Sequence, residues 1–180
     1  MRSLLDPTAT VADYRHYLGA LHSVYLGIEP TLYAALPPTV PAGLGVRPKL
    51  PALQHDLARL GAPASLPPPG CCGALRRGID GPAAALGGLY VLEGATLGGR
   101  VIARRLRRTL GANAAALPFA FLDCQQQEPG RAWHAFGAGL ERAATECGVP
   151  EEAVVAGAVA VFGAMHGVLA LPKGGAGSKE

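Results

Sequence analysis

The sequence predicts an all-α fold, and three observations predict it. Apolar residues recur at spacings of three and four in every long segment. Sustained period-two alternation occurs nowhere. Gly and Pro, 25 and 16 in a chain of 180, gather at the breaks between apolar runs and show no repeat. An apolar fraction of 49% against a charged fraction of 16% supplies one hydrophobic core and excludes a disordered or multidomain protein. A single domain over residues 1–180 is expected, with a structured core from about 10 to 171 and a flexible tail at 172–180.

Tyr14, Leu18, Leu21, Tyr25, Ile28 and Leu32 lay one apolar stripe along a helix from about Thr10 to Leu36. Thr10, with Asp13 three residues later, forms an acidic N-terminal cap. Pro30 removes an amide donor inside this run, so a kink or break is expected near Glu29. Pro37 to Pro48 holds four prolines and two glycines and is expected as a loop. A shorter helix follows from Pro48 to Leu60, with Leu50, Leu53, Leu57 and Leu60 on one face and Gly61 as its stop. Ala62 to Gly73, with Pro67, Pro68 and Pro69, is a second loop.

Apolar content resumes in a long helical run from Ala83 to Leu110, in which Leu86, Leu89, Tyr90, Leu97, Val101 and Leu106 can point inward. Gly94, Gly98 and Gly99 weaken its middle by about 1 kcal/mol each relative to Ala. Trp133, Phe136, Leu140 and Ala144 form a further helix after Pro129. Val154, Val155, Ala158, Val161, Phe162, Met165 and Leu169 form the last. Ala153 to Leu171 carries no charged residue and reaches the length of a membrane span, but its glycines and alanines keep it modestly hydrophobic. A buried core helix is expected, and no membrane partner.

The net charge of +3 is too small to argue for nucleic acid. Cys71, Cys72, Cys124 and Cys147 make no metal-ligand spacing and read as reduced thiols. Asp6 and Pro7 interrupt the N-terminus before an apolar secretory segment can form, so a cytoplasmic protein is expected.

Leu89-Tyr-Val-Leu-Glu-Gly-Ala-Thr-Leu-Gly-Gly-Arg100 is the most informative segment. Glycine lacks Cβ, and Gly94 and Gly98 are one turn apart, so this helix presents bare backbone on nearly one face. Close helix-to-helix packing would use that face; so would a kinked helix lying across a planar ligand.

This string resembles the distal helix of the bacterial, biliverdin-producing heme oxygenases, especially the type found beside bacterial phytochromes. Asp13-Tyr14-Arg15 with Tyr17-Leu18, Leu21, Tyr25 and Ile28-Glu29 is similar to a second segment of that family. Lys49, Pro51, Leu53, Asp56-Leu57 and Leu60-Gly61 are similar to a third, and Gly130-Arg131 with Trp133 to Phe136 to a fourth. The resemblance implies a helical bundle that clamps heme against a kinked, glycine-rich distal helix. It implies heme as substrate and cofactor together, electrons from an external donor such as a ferredoxin or other reductase, and biliverdin, carbon monoxide and ferrous iron as products. A bacterial phytochrome is the implied recipient of the biliverdin. Gly94, Gly98 and Gly99 would act through their backbone, keeping side chains away from the reacting centre, and Leu97 would contact the macrocycle.

The family's iron-ligating histidine lies upstream of the stretch matching Leu4-Leu5-Asp6-Pro7, so the given sequence is expected to lack the proximal segment. Three alternatives follow: the true start lies upstream of Met1, another residue binds iron, or heme is not turned over. His22 and His16 are the nearest substitutes; packing with one hydrogen bond is the plainer role for His22, and solvation for His16. His55, His134 and His166 sit on separate elements without metal-site spacing and are expected at the surface or in the core. Arg100, Arg104 and Arg108 share a helix face, within a basic run that includes Arg105 and Arg107, and could receive heme propionates or an acidic electron donor. Arg131 could pair a propionate. The competing expectation is a non-catalytic protein of the same fold, binding a tetrapyrrole or a protein partner, or an inactive truncated product.

Overall fold

The computed structural model describes residues 4–62, 79–124 and 129–170, and the regular elements among them are all helical. Helix α1 (Val11–Ala34) opens with the expected capping box: Thr10 accepts from the Asp13 amide while the Asp13 carboxylate accepts from the Thr10 amide at 3.0 Å. Its stripe of Tyr14, Leu18, Tyr25, Ile28 and Leu32 is fully buried. The break expected at Pro30 does not occur, and α1 runs on to Ala34. Proline costs one ladder bond, and the burial of Ile28 and Leu32 on either side holds the helix through it.

The loop expected from Pro37 to Pro48 contains a one-and-a-half-turn helix, α2 (Thr39–Leu44). Pro41 is its third residue, where an amide has no intrahelical acceptor in any case, so the proline is tolerated. Gly45, at φ 68°, closes it. Helix α3 (Leu50–Arg59) buries Leu53 and Leu57, leaves Leu50 and Leu60 half-buried, and stops at Gly61 with φ 62°. Most of the expected loop at 62–73, including Cys71 and Cys72, lies outside the described residues, as does the tail at 172–180.

The long run expected from Ala83 to Leu110 is two helices, α4 (Gly81–Leu97) and α5 (Gly99–Leu110), bent by 29°. Leu86, Leu89 and Leu106 point inward as expected, but Tyr90 and Val101 are 45% and 57% exposed. After a 3-10 turn (Gly111–Ala114) come α6 (Pro129–Glu146) and α7 (Glu151–Ala170). In α7, Val161 and Met165 are buried, whereas Val155 and Phe162 face outward. None of the helices among the described residues is long and apolar enough to cross a membrane.

Helices α4 and α7 cross in backbone contact. A Cβ on Gly87 would lie 2.1 Å from the Val154 carbonyl oxygen, and one on Gly157 would lie 2.4 Å from the Ala84 Cα. A Cβ on Gly88 would strike the Leu32 side chain at 2.4 Å, so α4 presses equally closely on α1. These approaches place the first half of α4 in the centre of the bundle.

Candidate functional site

Further along, an apolar cleft of about 540 Å³ is lined by α4, α6 and α7. Tyr90, Gly94 and Ala95 line it from α4, Phe162, Met165 and His166 from α7, and Trp133 from α6. Tyr90, Trp133 and Phe136 form a chain of ring contacts with centroids 5.1 and 5.5 Å apart. A Cβ on Gly94 would meet the Trp133 ring at 3.4 Å, ordinary contact distance, so glycine leaves a methyl-sized gap against that ring. The volume falls within the usual range of small-molecule cavities, about 300–1,000 Å³.

Side chains far apart in sequence hold this part of α4. Lys49 Nζ donates to the Glu93 carboxylate at 2.7 Å and to the Arg47 carbonyl at 2.8 Å, out of contact with most solvent. The Lys49 and Leu50 amides donate to the two oxygens of Glu29 at 2.7 and 2.9 Å, so an α1 carboxylate serves the N-terminus of α3. Tyr25 Oη donates to the Leu92 carbonyl, and Thr96 Oγ1 to that of Glu93. Burial raises the Glu29 carboxyl above its ordinary range, while the two amides and Lys49 pull it back. Burial likewise raises the Cys124 thiol, which lines a neighbouring polar cavity of about 350 Å³ with Lys49, Glu93 and Trp133.

The segment after the 3-10 turn is pinned in the same manner. Asp56, with no solvent exposure, accepts from the amides of Ala120 and Phe121 at 3.1 and 2.9 Å. Tyr14 Oη donates to the Pro118 carbonyl at 2.9 Å and its ring stacks on Phe119. Glu29, Lys49 and Asp56, quoted above only as points of resemblance, are thus the groups that fix α3, α4 and residues 118–121 to one another.

The glycines singled out in the sequence have separate surroundings. Gly94 lines the cleft; Gly98, at the bend, has nothing within 4 Å of its Cβ position. Gly99 packs on residue 122, where a Cβ would lie 2.7 Å from the Leu122 carbonyl oxygen. Leu97 is half-buried at the end of α4. Arg100, Arg104, Arg107 and Arg108 line a separate cleft of about 430 Å³ with Asp123, which shares no lining residue with the apolar one. Arg107 is held there by Asp123 and lies 4.4 Å over the Phe119 ring, and Arg105 donates to the Leu5 carbonyl. Arg131 is exposed on the first turn of α6 and lines neither cleft.

His22 is buried in α1, 2% exposed, and lines neither the apolar nor the arginine cleft. His16 and His134 are exposed, and exposed His55 lies 3.2 Å from Asp56. His166 is the histidine that reaches the apolar cleft, a position that its expected assignment to surface or core did not convey. The available signal was the run Phe162, Met165, His166, Leu169, which sets the imidazole on one helix face with three apolar side chains.

A curated heme oxygenase from Xanthomonas campestris pv. campestris (strain 8004) is 36% identical to this chain over 159 residues, 87% of this chain and 88% of the relative. No protein-family model and no solved structure matches the chain. With identity at that level along nearly the whole length, and an all-helical fold bent at its glycine-rich helix, the chain belongs to the heme oxygenase family.

Proposed function

We propose that this protein binds heme in the cleft between α4 and α7 and cleaves it oxidatively to biliverdin, carbon monoxide and ferrous iron. The observation that carries this reading is the methyl-sized gap at Gly94, set in an apolar, aromatic-walled cleft on the segment that resembles the family's distal helix. The cleft suits heme because an extended macrocycle buries apolar area there and can lie against main chain at Gly94. Heme, when bound, supplies the iron at which oxygen is activated.

The protein's own residues shape and dry that site. Gly94 and Ala95 keep bulk away from one face of the macrocycle. Tyr90, Trp133 and Phe162 exclude water from its edge. The Lys49–Glu93 pair holds the turn that carries Gly94, so the gap keeps its place when the cleft fills. Gly98, open at the bend, lets α4 and α5 adjust their angle around the ligand, and Leu97 and Gly99 anchor the two sides of that bend. Arg100, Arg104 and Arg108, on a cleft of their own, form a basic surface suited to an acidic electron donor of the ferredoxin kind. Arg131, two residues before Trp133, is the basic group nearest in sequence to the cleft and is assigned to a heme propionate. A cytoplasmic setting, with its supply of reductant, agrees with the chemistry, and a phytochrome is a fitting acceptor of the biliverdin.

The test is a titration of the purified chain with hemin, followed by ascorbate or a reductase under oxygen. A one-to-one Soret band that decays as biliverdin absorption grows is the expected result. A saturable band without biliverdin would reduce the protein to a heme carrier, and no specific band would end the reading.

A further inference from the structure

We propose that the arginine cleft on α5 binds a compact polyphosphate anion, the chemistry shared by inorganic polyphosphate and the phosphate chain of a nucleotide. The site goes beyond the heme reading and does not depend on it, because the two clefts share no lining residue.

The charge balance is the first observation. Arg100, Arg104, Arg107 and Arg108 line a cavity of about 430 Å³ with Asp123, and four guanidiniums against one carboxylate leave its walls at a formal +3. Helix α5 carries five arginines and no acidic residue, and Arg100, Arg104 and Arg108 repeat one turn apart. Like charges at that spacing repel and destabilise a helix. Arg107 and Arg108 lie in the last turn, where the helix dipole favours a cation. Arg100 and Arg104, nearer the other end, gain nothing from the dipole, and a multivalent anion in the cleft offsets all four charges.

The second observation is order. Arg107 is held by the Asp123 carboxylate and lies 4.4 Å over the Phe119 ring, which is itself buried and stacked on Tyr14. A guanidinium fixed in this way presents its remaining N–H donors in a constant plane, and that fork matches phosphate oxygens two at a time.

The third is spacing. Arg100 to Arg108 spans about 12 Å of helix axis, a length that a chain of phosphoryl groups can follow with a charge on every unit. An acidic protein surface is the other polyanion such a cleft can meet, but its carboxylates stand on separate side chains and each brings a single charge. Concavity and close charge spacing favour the compact ligand.

The experiment titrates the purified chain with sodium tripolyphosphate and with ATP by isothermal calorimetry, against sulfate at matched ionic strength. The parent is compared with the double variant Arg104→Ala, Arg108→Ala and with Arg15→Ala, an exposed arginine on α1 that does not line this cleft. Saturable one-to-one binding of tripolyphosphate is expected in the parent and in Arg15→Ala. Equal affinity for ATP identifies the phosphate chain alone as the recognised group, and tighter binding of ATP adds the nucleoside; both support the site. The double variant should lose at least tenfold in affinity, yet melt no lower than the parent in anion-free buffer, because two repelling charges are gone. Tripolyphosphate at a hundredfold excess over its dissociation constant should raise the parent's melting temperature by about 5 °C or more, and that of the double variant by less. Equal effects of sulfate and tripolyphosphate would overturn the proposal, reducing the cleft to a screened basic surface. Undiminished affinity in the double variant would overturn it by placing the anion elsewhere, and a lower melting temperature would contradict the repulsion on which it rests. Binding of an acidic ferredoxin that the double variant loses, with no saturable binding of tripolyphosphate, would assign the arginines to a protein partner instead.

Discussion

Gly87 and Gly88 in the first half of α4 meet foreign atoms within 2.4 Å of where a Cβ would stand, whereas Gly94 meets only one ring edge at 3.4 Å and Gly98 meets nothing. One helix therefore uses the same residue for two purposes. In its first half glycine brings three helices into contact; in its second it leaves space unfilled. Packing density inside a protein permits the first only where the neighbour's backbone is fixed, and the Val154–Ala158 backbone of α7 is such a neighbour. Both halves belong to one helix, so a shift of α4 at Gly87 carries the cleft wall at Gly94 with it.

Gly87→Ala should break that arrangement most severely. The added methyl meets the Val154 oxygen and the Ala158 nitrogen, backbone atoms that cannot rotate aside. A loss of about 3 kcal/mol or more is expected in the urea unfolding free energy, with hemin affinity falling in parallel as α7 shifts. Gly94→Ala is the contrast: stability should stay within about 1 kcal/mol of the parent, while hemin binding weakens because the gap is filled. Equal destabilisation by the two substitutions would remove the distinction between the halves.

A pH series sharpens the boundary between them, since Glu93 beside Gly94 is held through Lys49 to Glu29. The folded-state pKa of Glu29 is raised by burial above its ordinary 4.5. Between those two values the folded protein keeps a proton that the unfolded chain has released, so this group's contribution to stability is lost as pH rises through the window. Glu29→Gln cannot take up that proton. The stability of the parent relative to Glu29→Gln should therefore grow as pH falls toward 4.5, measured by urea midpoints at matched ionic strength. A difference that is flat with pH would separate Glu29 from the bracing of α4.

Gly98→Ala should give the smallest effect, and of opposite sign. Gly98 lies at φ −73° and ψ −16°, which alanine adopts freely, and its Cβ position is empty. A gain of up to about 1 kcal/mol in thermal or urea unfolding is expected. A loss there would place an unseen neighbour at the bend.

Much of the fold was legible in the sequence because it is local. The Tyr14-to-Leu32 stripe, the Thr10–Asp13 box and the stop at Gly61 depend on residues within one or two turns, and all three appear as read. Helix α2 was hidden because four prolines suggest a loop, although Pro41 stands where its missing amide costs nothing. The site was less legible. Sequence spacing drew attention to Gly94, Gly98 and Gly99 together, but which glycine faces a cavity and which faces Leu122 depends on partners far along the chain. For the same reason Gly87 and Gly157 gave no signal, and Lys49 and Asp56 stood out only by resemblance. Their partners, Glu93, Ala120 and Phe121, lie 44 to 65 residues away.

The Glu29–Lys49–Glu93 chain also governs the order in which the molecule can come apart. Its members belong to α1, to the residue before α3, and to α4. If α3 detached alone, two carboxylates would remain in the interior without their donors; if α4 detached, an ammonium would be stranded. Removing one partner of a buried ion pair is expensive, about 3–5 kcal/mol, so partly open forms in which one of these helices has left are sparsely populated. The three helices are therefore expected to exchange their amide hydrogens as one cooperative unit, more slowly than the far ends of α4 and α7.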